Sequence, residues 1–366
     1  MKIHEIIRKS RKERGLTQEE LAKYLGVSTP AVNKWEKGLS YPDITLLPVL
    51  AAYFNISVDE LLGYEPQMVK EDIRKLYHEM ARRFGSEPYE TVKAACDEYI
   101  KKYHACFPLL MQMAVLLLNH FQLAPNPPEV LEEVNKLLDC VIENGEEIKV
   151  IKEAMMLKGS CCLMMQKPEE ILDMLGEQVQ AIPQDQELQA MAFQIKGDSK
   201  KAKATLQVAM YQHLLTLIGD TAVYISWEQE ASEKTEEIIR RTLELMDLFH
   251  VEQLHFNVAA QVYLTFARYE CIAQRPEKAL EFLERYAGCM MAEKLPLKLH
   301  GDSYFDKVDD WLEELSLGKE APTSEERLKQ NVLQSVAGNP AFECLKEYPR
   351  FTRLIRRLEE YCGKTG

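Results

Sequence analysis

The strongest constraint on this chain is a run of helix punctuation near its start. Residues 17–38 read Thr-Gln-Glu-Glu-Leu-Ala-Lys-Tyr-Leu-Gly-Val-Ser-Thr-Pro-Ala-Val-Asn-Lys-Trp-Glu-Lys-Gly. Thr17 with Glu20 three residues on is a capping box, which starts a helix by satisfying two otherwise orphaned amides. Leu21, Tyr24 and Leu25 then recur at helical spacing. Gly26 supplies the left-handed residue that ends a helix. Ser28 is placed to cap a second helix, with Pro30 in its first turn, where a missing N–H costs little. Ala31, Val32 and Trp35 are expected to point inward, leaving Thr29, Pro30, Asn33, Lys34 and Lys37 facing out. A short helix presenting small, amide and basic side chains, braced by a preceding helix, suits entry into a DNA major groove.

The flanks extend the pattern. Residues 2–13 read as a helix with Ile3, Ile6 and Ile7 inward and Arg8, Lys9, Arg11 and Lys12 on the other side. Pro42-Asp43 leads into a helix through Asn55 with Leu46, Leu47, Leu50, Ala51 and Phe54 as core, and Ser57 caps a last short helix ending at Gly63. Three segments carry a family resemblance: Leu16-Thr17-Gln18-Glu19-Glu20-Leu21-Ala22, Gly26-Val27-Ser28, and Val32-Asn33-Lys34-Trp35-Glu36-Lys37-Gly38. With Pro42-Asp43 and the ending Phe54 to Leu62, they make residues 1–63 resemble the XRE (lambda-repressor/Cro-like) helix-turn-helix domain. The resemblance implies a five-helix DNA-binding domain, with Gln18 on a phosphate and Thr29, Pro30, Asn33 and Lys34 facing bases. Asn33 could pair with adenine and Lys34 with guanine. Arg11, Lys12, Lys23 and Lys37 are candidate phosphate contacts, which position without reading sequence, and Tyr41 either contacts phosphate or packs. Trp35 is expected in the core and Glu36 as a structural acceptor. One such domain covers a half-site, so a homodimer on double-stranded DNA is the default.

Charge agrees with one local DNA face. The whole chain carries −13, yet residues 1–63 hold nine Lys/Arg against eight acids, a net of +1, which leaves −14 for the rest. An acidic body confines nucleic-acid contact to the head. Nine scattered cysteines without a Cys-x-x-Cys pair read as reduced, buried thiols. The start lacks a signal-like apolar run, and Met113-Ala-Val-Leu-Leu-Leu118 is far too short to span a bilayer, so a cytoplasmic protein without membrane contact is expected.

Beyond a linker at residues 64–70, residues 71–366 show no strand pattern. They read as helix after helix, broken at prolines and glycines, with expected spans including 168–180, 199–219, 221–231, 252–274 and 304–316. Lys167-Pro-Glu-Glu-Ile-Leu172 and Arg275-Pro-Glu-Lys-Ala-Leu280 place Pro-Glu before an apolar pair, and Gly197-Asp198-Ser-Lys-Lys-Ala202 is alike. The outer two lie 108 residues apart. This resembles divergent tetratricopeptide (TPR-like) hairpins, with residues 339–355 closing the last apolar face. The expected fold is therefore all-α: the five-helix head, then a TPR-like sensor and dimerisation domain.

A concave repeat surface binds peptides through amides and aromatics, so Tyr211, Gln212, Tyr224, Trp227, Gln261, Tyr263, Arg268 and Tyr269 are candidates for a peptide or small-ligand surface, against ordinary inter-helix packing. Cys161-Cys162 among Met155, Met156, Met164 and Met165 reads as sulfur-rich core, and neither His104-Ala-Cys106 nor His250 with His255 gives a metal pattern. No hydrolase or phosphate-loop motif is present, so neither an enzyme nor a cofactor is expected. The alternative function is an interaction scaffold whose repeats bind a partner protein while the head localises it to DNA.

Overall fold

The computed structural model describes residues 3–64, 67–179, 181–292, 298–319 and 325–363. Among them the chain is helical throughout, with no extended strand. Two compact units form: Met1–Val69 with Glu98–Leu110, and Lys70–Asp97 with Met111–Gly366.

The first unit begins with α1 (Ile3–Glu13), α2 (Gln18–Leu25), α3 (Thr29–Glu36), α4 (Leu47–Phe54) and α5 (Val58–Leu62). Thr17 and Glu20 form the capping box, as do Ser57 and Glu60. Gly26 and Gly63 end α2 and α5 in the left-handed conformation, where glycine carries no Cβ penalty. Ser28 stands at the N-cap of α3 with extended backbone, but its side chain makes no capping hydrogen bond. A 3-10 turn, Ile44–Leu46, precedes α4, and the Asp43 carboxylate accepts from the Thr45 amide there. Ile3, Ile7, Leu21, Val32, Trp35, Leu50, Phe54 and Leu61 make one buried cluster. Within the same unit, Gln67 donates to the Ala105 carbonyl at 3.0 Å.

The rest of the chain runs through α6 (Lys70–Ser86), α7 (Tyr89–Lys102), α8 (Phe107–His120), α9 (Pro127–Asn144), α10 (Ile148–Met164), α11 (Pro168–Leu175), α12 (Asp185–Ile195), α13 (Ser199–Ser226), α14 (Glu233–Leu248), α15 (Val251–Leu254), α16 (Phe256–Ile272), α17 (Pro276–Ala292), α18 (Asp309–Glu314), α19 (Glu325–Ala337) and α20 (Pro349–Tyr361). Sequential helices pair, as α9 with α10, α12 with α13 and α16 with α17. The three Pro/Gly joints read from the sequence share one geometry. Gln166 (φ 57°), Gly197 (φ 81°) and Gln274 (φ 57°) are left-handed. The next residue's amide then reaches five back: Lys167 to Cys162, Asp198 to Phe193, Arg275 to Glu270, all at 2.8–2.9 Å. This is the Schellman ending, repeated at each joint. The tail packs as expected, with Phe351, Leu354 and Leu358 of α20 buried in the second unit's core.

Several expected boundaries differ. No break occurs at Gly219-Asp220: α13 continues for 28 residues, and the separate 221–231 helix does not exist. The buried row Leu214, Ile218, Ala222 and Ile225 runs straight past the glycine, and that packing outweighs the roughly 1 kcal/mol a mid-helix glycine costs. Conversely, 252–274 is interrupted. His250 takes a left-handed φ of 49°, α15 is a single turn, and His255 caps α16 by accepting the Val258 amide on its ring at 3.3 Å. The 168–180 helix stops at Leu175, and 304–316 shortens to Asp309–Glu314.

Candidate nucleic-acid interface

α2 and α3 pack together around Leu21, Leu25, Val32 and Trp35, which leaves one side of α3 to solvent. Thr29, Pro30 and Lys34 are exposed there, and Asn33 is half-buried. Lys12, Lys23, Lys37 and Tyr41 are exposed as well. The aromatic flank is packed by Tyr24 on Tyr53, with ring centroids 4.0 Å apart.

Beneath α3 lies a polar network that starts from a buried charge. The Glu36 side chain is 4% exposed and its partner Arg11 is 12% exposed. The Arg11 guanidinium donates to both Glu36 oxygens in a bidentate pair, and a further donor reaches the Leu16 carbonyl. Gln18 Nε2 donates to Glu36 Oε2 at 2.8 Å, and Asn33 Nδ2 donates to Gln18 Oε1 at 3.1 Å. Burial pushes the Glu36 carboxyl up, but the hydrogen bonds from Arg11 and Gln18, with the charges of Arg11 and Arg8, outweigh it and hold the group below the usual carboxylate range.

The network propagates hydrogen-bond polarity. A carboxylate only accepts, so Gln18 must turn its amide nitrogen toward Glu36. Its oxygen then faces Asn33, which must present nitrogen in turn. Asn33 is left with Oδ1 and one Nδ2 hydrogen, an acceptor and a donor side by side, which is the pair adenine requires in the major groove. Sequence reasoning named all four residues but not their connection. Arg11 is occupied inside the domain. Its partner lies 25 residues away, and no local spacing signals that.

The ligand-surface candidates are not brought together. Tyr211, Tyr263 and Tyr269 are in the core and cannot line a surface. Tyr211 meets Phe305 and Trp311 edge-on, the Tyr263 hydroxyl donates to Glu252, and the Tyr269 hydroxyl accepts the Ser232 amide at 3.1 Å. Burial pushes the Tyr211 phenol up. Arg268 donates to the last carbonyls of α13, at Ile225 and Ser226. Gln212 is half-buried, while Tyr224, Trp227 and Gln261 are exposed.

The second unit holds a cleft of about 600 Å³ between α14, α16 and α17, lined by Glu236, Arg240, Glu270, Arg275, Phe282 and Arg285. Cys161 and Cys162 are buried, with Cys161 donating to the Leu131 carbonyl. Among the described residues no cluster of three or more His, Cys, Asp or Glu could hold a metal, and no helix is long and apolar enough to cross a membrane.

Two short helices around a tight turn, with the second helix's polar side open, define a helix-turn-helix protein of the XRE type. Residues 7–61 match the helix-turn-helix family model. The chain is 33% identical over 84 residues to the HTH-type transcriptional activator BcrR of Enterococcus faecalis, and 32% identical over 93 residues to the uncharacterised HTH-type transcriptional regulator YqaE of Bacillus subtilis. The matches take in 21% and 25% of this chain, and 41% and 74% of those proteins, so the chain spans about two fifths of the length of the first. It belongs to the helix-turn-helix family of transcriptional regulators. Apo ComR, the competence regulator of Streptococcus vestibularis, aligns over 86% of this chain and 97% of its own at 17% identity with a TM-score of 0.26. Apo ComR of S. thermophilus aligns over 80% and 94% at 14% identity and 0.22.

Proposed function

We propose that this protein is a sequence-specific, DNA-binding transcription regulator that acts as a homodimer, with its second unit serving effector sensing and dimerisation. The observation that carries the reading is the outward side of α3, where Thr29, Pro30 and Lys34 are exposed beside an Asn33 amide oriented by Gln18. Asn33 reads adenine, Lys34 reaches guanine O6 or N7, and Thr29 and Pro30 offer apolar contact to a thymine methyl. Gln18, Lys12, Lys23, Lys37 and Tyr41 supply phosphate contacts, and Arg11 acts through Glu36 as a positioning residue. Selection from a random DNA library should yield one motif. Asn33→Ala should relax that motif at one position, costing about 1–3 kcal/mol on the selected site. An equal loss on selected and random DNA would remove Asn33 from base reading.

The charged cleft of the second unit supports effector binding. It offers carboxylates and guanidiniums around Phe282, a lining that suits a short peptide or a small zwitterion. Such a ligand changes DNA binding only by favouring one arrangement of two heads over another. Native mass spectrometry of the purified protein should show a retained peptide or metabolite. Arg240→Ala, at an exposed arginine of the same cleft, should abolish the retention with melting unchanged.

A further inference from the structure

α13 is the longest helix among the described residues, and its apolar side chains lie on all sides. One face, with Tyr211, Leu214, Ile218, Ala222 and Ile225, is buried in the core, while Ala202 and Ala209, buried as well, lie on the other side in the first half of the helix. The opposite face is exposed along Leu206, Met210, His213, Leu217, Asp220, Tyr224 and Trp227. Those positions step by four and three in strict alternation, the spacing of a coiled-coil seam. A solvent face of a helix is ordinarily charged. Here five of seven positions are apolar, with Leu217 58% and Trp227 72% exposed.

We propose that this seam pairs with the same seam of a second copy of the chain, antiparallel, about a two-fold axis beside Leu217. The seam reads alike from both ends. Met210 and Tyr224 stand seven residues either side of Leu217, while Leu206 and Trp227, and His213 and Asp220, match to within one residue. An antiparallel pair therefore sets apolar against apolar and brings each His213 level with the partner copy's Asp220. A parallel pair sets Asp220 against Asp220, which like charges disfavour. A two-fold contact uses one patch twice, as a palindromic face requires.

The area suffices. Helix α12, packed on α13, leaves Leu188, Met191 and Ile195 exposed too. At roughly 100 Å² apiece, eight such apolar side chains supply on the order of 800 Å² per partner, the size of a standard interface. The inference rests on the homodimer of the proposed function and assigns it a surface.

Light scattering and sedimentation on the full chain should give a dimer. Leu217→Glu and Tyr224→Glu should each shift it at least tenfold toward monomer, with helical content and melting unchanged. A monomeric wild type overturns the proposal, and so do variants that remain dimeric. A second readout stands even if these variants fail to fold. Under mild oxidation Leu217→Cys should give a peptide joining residue 217 to residue 217, whereas Leu206→Cys should not join 206 to 206. The opposite pattern rules out the antiparallel seam. DNA selection separates this proposal from the functional one. Leu217→Glu should recover a single half-site where the wild type recovers two. A dimeric wild type that selects no sequence defeats the DNA reading and leaves the seam standing.

Discussion

Helices α3 and α13 each bury one face and turn the other outward, and the two outward faces differ in kind. That of α3 is short, polar and basic, with its amide oriented by hydrogen bonds. That of α13 is long and mostly apolar, crossed midway by one histidine and one aspartate. Burial alone explains neither difference, since both inner faces are ordinary core. A nucleic acid offers a groove edged with donors and acceptors, whereas a protein offers apolar side chains. Each outward face is matched to one of these.

The sharpest way to break the comparison is to remove the charge under α3. Glu36→Ala leaves the Arg11 guanidinium buried without its partner, so the first unit should lose about 3–5 kcal/mol, read by chemical denaturation. Glu36→Ala in α3 should leave the second unit's own transition in place. A loss below 1 kcal/mol would show that the pair does not hold the head.

Acid does the same by degrees. The Glu36 carboxyl is depressed in the folded state, so its contribution is full above the unfolded value near pH 4.5 and is lost as pH falls through the lower folded value. Stability of the first unit should therefore drop below about pH 4. Glu36→Gln should flatten that limb, and an unchanged limb would assign acid sensitivity to another group.

A smaller effect is expected at Gln18. Gln18→Ala removes a hydrogen bond to a charged acceptor, worth about 1.5–3 kcal/mol at most, and frees the Asn33 amide. DNA affinity should fall and the preference at one base should blur together. A uniform loss with preference intact would reduce Gln18 to a phosphate contact.

The smallest test lies in the second unit. Gln274 holds φ 57° at a Schellman joint, a conformation that costs a residue with Cβ. Gln274→Gly should stabilise that unit by about 0.5–1 kcal/mol, seen as a rise in melting temperature. A fall would mean that the glutamine side chain contributes more than its backbone costs.

What the sequence made legible was local. Thr17 with Glu20, Ser57 with Glu60, and the glycines at 26 and 63 act within four residues, and all do in the structure what their chemistry predicts. Trp35 is in the core, and Glu36 accepts as expected. The misreadings arise where distant packing decides. Gly219 stops a helix in isolation but not one whose buried row continues beyond it. Tyr211, Tyr263 and Tyr269 look like ligand contacts because phenols are amphipathic, yet each is absorbed by the core, and Tyr263 and Tyr269 have a polar partner for the hydroxyl there. Arg11 looks like a free cation until Glu36 arrives from 25 residues away.

The chain of hydrogen bonds from Glu36 through Gln18 to Asn33 has an entropic side. A free glutamine or asparagine gives up rotational freedom on meeting DNA, at a cost of about 0.5–1.5 kcal/mol each. Here folding has already restricted both. Part of the head's grip on DNA is thus stored in its own stability, and whatever loosens the buried carboxylate withdraws it, even while every exposed side chain of α3 is still present.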